Sequence, residues 1–95
     1  MGFLKELDFS KDEILTAENN TTDLIINELV ESKELVMHNI KFLKDYGVDN
    51  FKEVFIKYCG MFLMDHSKFT KIFTRYEKDD LIEKIKNNIA IVEFL

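Results

Sequence analysis

Between Thr22 and Gly47 one feature leaves little choice of fold. Ile26, Leu29, Val36, Ile40 and Leu43 sit on a ladder of three- and four-residue steps whose only polar rung is Lys33. Residues at those spacings share one face of a helix, so the spacing predicts a single long helix starting at Thr22 or Asp23. Leu35 and Phe42 add a second apolar strip beside the first, as expected for a helix buried on more than one side. Gly47 suits the left-handed residue just past its end, with Lys41 and Lys44 placed to complement the helix dipole.

The remainder of the chain agrees with helix. No proline occurs in 95 residues and glycine occurs only three times, so nothing interrupts the backbone hydrogen-bond ladder. Ser10-Lys11-Asp12-Glu13 reads as a capping box, flanked by Phe9 and Ile14 at staple spacing, and opens a short helix running to about Glu18. "ENNTTD" then ends it, because Asn and Thr side chains compete for backbone hydrogen bonds. Its two overlapping glycosylation sequons read as helix-start residues. Phe51, Val54, Phe55, Tyr58 and Cys59 give one broad apolar face to a helix beginning at Asp49 or Asn50 and stopping near Gly60. Ser67 is placed to cap the next helix and Asp79 or Asp80 the one after, "LIEKIKNN". "IAIVEFL" has no strand to pair with and is expected to pack on the core as helix or extended chain.

These elements sum to an all-α single domain spanning 1–95: a compact bundle of about five helices around one long central helix. A short helical-repeat stack is the alternative, suggested by "FLKEL" at 3–7 and "FLKDY" at 42–46. The chain is long enough to bury a core without disulfide or metal, and Cys59 stands alone. There is no apolar run behind a basic amino-terminal segment and no stretch long enough to span a membrane, which points to the cytoplasm. "MGFLKE" fails as a myristoylation site because Glu6 replaces the required Ser or Thr.

The net charge of −5 is unevenly spread: residues 1–36 hold three lysines and nine acids, the rest ten basic residues and nine acids. Two stripes stand out. Lys68, Lys71, Arg75 and Lys78 are spaced three, four and three, and so form one face of a helix opposite an aromatic face. They are candidate contacts for phosphate or for an acidic partner, with Thr70 and Thr74 able to add hydroxyls. An acidic chain is a poor nucleic-acid binder, however, because counterion release drives that affinity. Arg75 is also the one side chain suited to reading base edges, and the seven-residue connector before it is too long for a helix-turn-helix. Glu28, Glu31 and Glu34 are the acidic counterpart.

Met61, Phe62, Leu63 and Met64 cannot all point inward from one short turn, so part of that segment is expected at a contact surface. Cys59, Asp65 and His66, with His38 on another helix, lack the paired spacing of a zinc site. A thiol on an apolar face behaves as a small hydrophobe rather than a nucleophile. No phosphate loop or nucleophile elbow is present. The resulting expectation is a non-catalytic cytoplasmic protein–protein interaction or regulatory module with no cofactor and no small-molecule ligand. A protein partner or a second copy is favoured over nucleic acid, the latter being the alternative on the basic face.

Overall fold

Ser10 opens the first helix, α1 (Lys11–Asn19), through a complete capping box. Its hydroxyl accepts from the Glu13 N–H at 3.1 Å, and the Glu13 carboxylate accepts from the Ser10 N–H at 2.8 Å. That backbone hydrogen bond holds the Glu13 carboxyl below its ordinary value of 4.5. Phe9 and Ile14, the staple pair, are both buried.

The computed structural model describes residues 1–95 as six α-helices and three short 3₁₀ segments, with no strand. Thr22 caps α2 (Asp23–Glu31) by accepting from the Ile25 N–H. The expected long helix does not continue. It breaks at Ser32, whose φ of −105° and ψ of 29° leave the helical basin, and resumes as α3 (Lys33–Tyr46). Serine is a weak helix former and a common kink site. The cost is small, because Ser32 still donates to the Glu28 carbonyl and accepts from the Val36 N–H, each at 3.0 Å. Bending there lets both helices reach the same 3₁₀ turn, Cys59–Leu63. The ladder holds from Leu29 onward, where Leu29, Val36, Ile40 and Leu43 are fully buried, whereas Ile26 on its first rung and Leu35 on the second strip are only half-buried.

Gly47 ends α3 in the left-handed conformation, φ 101°. Then come α4 (Phe51–Tyr58), the 3₁₀ turn, α5 (His66–Thr74), α6 (Lys78–Asn87) and a closing 3₁₀ segment, Ile89–Phe94. Two caps differ from expectation. Asp65, not Ser67, caps α5 by accepting from the Ser67 and Lys68 N–H groups, and Glu77, not Asp79 or Asp80, caps α6 through the N–H groups of those two residues. In each case a longer-reaching carboxylate lies just upstream of the residue chosen from the sequence.

α1 packs on α4, and α3 on α5, around one continuous core. A row of rings runs through it: Phe9 to Phe55 at 5.7 Å, then Phe55, Phe62, Phe69 and Phe73 at successive centroid distances of 5.1 Å. Such tilted and edge-on contacts are the favoured aromatic geometries. The Cα radius of gyration, 12.6 Å, is that of a compact chain of this length. The two similar pentapeptides fold differently, "FLKEL" into the 3₁₀ segment Gly2–Leu7 and "FLKDY" into the end of α3, so they are not equivalent repeat units. No helix is long and apolar enough to cross a membrane.

Candidate functional site

Asn39 is the one polar side chain among the buried residues, and it organises the connector before α5. Its amide nitrogen donates to the carbonyls of Phe62 and Met64, each at 3.0 Å. Both amide protons are thereby used, so its oxygen is the acceptor facing His66 Nδ1 at 2.7 Å. His66 must carry a proton on Nδ1 to donate there. No buried side-chain nitrogen or oxygen lacks a partner. The sequence reading passed over Asn39. Its position, three residues after Val36 and one before Ile40 on the apolar ladder, was the available signal.

This bracket fixes the segment singled out for exposed apolar surface. Phe62 is fully buried in the aromatic row, which corrects its assignment as a contact residue, while Met61, Leu63 and Met64 are half-buried. Met61 and Met64 open onto two shallow clefts that meet at Ile72. One, of about 490 Å³, is lined by Met64, Lys68, Lys71, Ile72, Thr74 and Arg75. The other, of about 260 Å³, is lined by Tyr58, Met61, Ile72, Val92, Glu93 and Leu95. The methionine segment and the carboxy-terminal apolar segment, far apart in sequence, thus share one groove. Partial burial, and then the Glu93 carboxylate, push the Tyr58 hydroxyl above its ordinary value.

The basic ladder does not survive intact. α5 ends at Thr74, Arg75 is its C-cap, and Lys78 begins α6 beyond the break at Glu77. Lys78 sits over the Tyr46 ring at 5.0 Å and does not line the groove. Arg75 donates to the Leu95 carbonyl, which ties the closing 3₁₀ segment to α5. The hydroxyls of Thr70 and Thr74 bond back to the carbonyls of Ser67 and Thr70 and are spent within the helix. Lys68 and Lys71 remain exposed on the groove's rim, outside the chain's four ion pairs.

The acidic stripe is divided in the same manner. Glu28 and Glu31 lie on α2, whereas Glu34 falls beyond the Ser32 break, in the first turn of α3. There a carboxylate complements the helix dipole. None of the three takes part in an ion pair.

His38 and His66 come together across α3 and α5, ring centroids 5.6 Å apart, in a shallow depression with Lys41, Phe42 and Asp45. Cys59 is buried in the core and the Asp65 carboxylate is engaged in capping α5. No three His, Cys, Asp or Glu side chains are arranged to hold a metal ion. No family model, curated protein or solved structure matches the chain.

Proposed function

We propose that this chain is a small non-catalytic, regulatory interaction module that holds another protein in the groove along α5. The observation that carries the proposal is the groove itself: an apolar floor of Met61, Met64, Ile72 and Leu95 beside two unpaired lysines, Lys68 and Lys71. Apolar floor with charged rim is the anatomy of a protein interface, the floor supplying affinity and the rim orientation and on-rate. Phe94, 80% exposed, lines a separate depression with Tyr76, Leu81 and Lys84 that adjoins the groove through Leu95. The module is assigned to the cytoplasm, where a lone thiol such as Cys59 stays reduced.

Nucleic acid is the competing occupant of the same rim. It is disfavoured because Arg75 is bound to the Leu95 carbonyl, Lys78 lies outside the groove, and the net charge is −5. Two free lysines give little counterion release.

A photo-crosslinking amino acid placed at Ile72, with Leu15 on α1 as the control site, tests the proposal in cells. A discrete protein adduct is expected from Ile72 alone, resistant to nuclease and lost when Lys68 and Lys71 are changed to Glu. Equal labelling at both positions, or an adduct that nuclease removes, overturns it.

A further inference from the structure

The groove's rim has a counterpart on the same molecule. On α2, Leu24, Glu28 and Glu31 are spaced four and three residues apart and so share a helix face. All three are exposed, Leu24 at 68%. In the groove, Met64, in extended chain just ahead of α5, lines one cleft together with Lys68 and Lys71 on α5, so an apolar side chain again stands beside two like charges, here of the opposite sign. Neither set is neutralised within the chain: Glu28, Glu31, Lys68 and Lys71 take part in none of its four ion pairs.

We infer that the occupant of the groove is a second copy of this chain, which lays its α2 stripe along α5. Leu24 of one copy then meets Met64 and Ile72 of the other, while Glu28 and Glu31 face Lys68 and Lys71. The pairing presupposes that the groove is an interaction surface and adds the identity of what fills it. Because each copy carries both stripes, the contact either closes about a two-fold axis and pairs all four, or propagates head to tail. The attraction comes from exposed charge, so the complex is salt-sensitive. The Debye length falls from about 10 Å to about 3 Å between about 0.1 M and 1 M salt.

Sedimentation equilibrium on charge-reversed variants provides the test. One variant carries Glu28→Lys with Glu31→Lys, making both of its stripes basic; the other carries Lys68→Glu with Lys71→Glu, making both acidic. All four positions are exposed, and circular dichroism checks that the helix content is kept. The wild-type chain is expected to self-associate, more weakly by tenfold or more at the higher salt. Each variant alone is expected to be monomeric, and an equimolar mixture to associate again. A mixture that stays monomeric, or variants that associate like the wild type, overturns the inference. A wild-type chain that is monomeric at low salt also overturns it; if the Ile72 adduct with another protein persists in that case, the groove stands as an interface for a different partner, and if no adduct forms, both ideas fall.

Discussion

Asn39 Oδ1 lies 2.7 Å from His66 Nδ1, while the same amide's nitrogen holds two backbone carbonyls of the preceding turn. One side chain therefore satisfies three polar groups at the joint between α3 and α5. Asn39→Leu is close in size but leaves those partners without it, and each unsatisfied buried group costs about 1–3 kcal/mol. A loss of roughly 3 kcal/mol is expected in urea denaturation, against less than about 0.5 kcal/mol for His38→Asn on the exposed side of the helix. In the neutral ring, long-range nitrogen–proton NMR correlations are expected to show the His66 proton on Nδ1.

Phe62 and Phe94 separate burial from hydrophobicity. Phe62 sits at the centre of the aromatic row and is fully buried, whereas Phe94 is largely in solvent. Truncating a buried phenylalanine removes transfer energy and leaves a cavity, typically costing about 3–5 kcal/mol. Phe62→Ala is expected to lose that much in thermal or chemical unfolding, enough to threaten folding in a domain of ordinary stability. Phe94→Ala is expected to change stability by less than about 0.5 kcal/mol.

The glycines offer a second contrast. At Gly47, φ is 101° and an added Cβ meets Ile82 Cδ1 at 3.4 Å, so an alanine there is strained. Gly60 has neither a positive φ nor any atom within 4 Å of an added Cβ. Gly47→Ala is expected to destabilise by about 1–2 kcal/mol. Gly60→Ala is expected to stabilise by about 0.4–1 kcal/mol, because it restricts the unfolded chain. Paired melting curves decide both.

The Ser10 capping box sets a pH dependence. The Glu13 carboxyl is held below its ordinary 4.5 by the Ser10 backbone hydrogen bond. Its contribution is therefore complete above that value and is lost as pH falls through the lower folded value. Glu13→Gln keeps an acceptor for the Ser10 N–H but does not titrate. The melting temperature of this variant is expected to fall less than that of the wild type between about pH 5 and pH 3, the interval in which an ordinary carboxylate titrates. Ser10→Ala is expected to cost about 1 kcal/mol at neutral pH.

Legibility in the sequence follows the range of the interaction. The capping box at Ser10, the Gly47 stop and the buried ladder from Leu29 to Leu43 are decided within a turn or two and were readable there, as was the Thr22 cap to within one residue. The break at Ser32 was not, since a continuous helix satisfies the same periodicity; α2 and α3 bend to pack on a turn more than 25 residues downstream. Glu34 is separated from the acidic stripe by that break, and Lys78 from the basic stripe by the one between α5 and α6. The groove was half visible. Met61, Met64 and the carboxy-terminal segment were identified separately, but only the packing of Ile89–Phe94 beside α5 joins them.

The Asn39 bracket has one more consequence. Sliding α3 by a single turn against the Cys59–Leu63 segment would still bring apolar side chains to the core, because the ladder repeats at nearly that interval. It would also carry the amide away from the two carbonyls that it must reach. The apolar ladder by itself does not tell such a slide from the observed packing, whereas the two carboxamide bonds do.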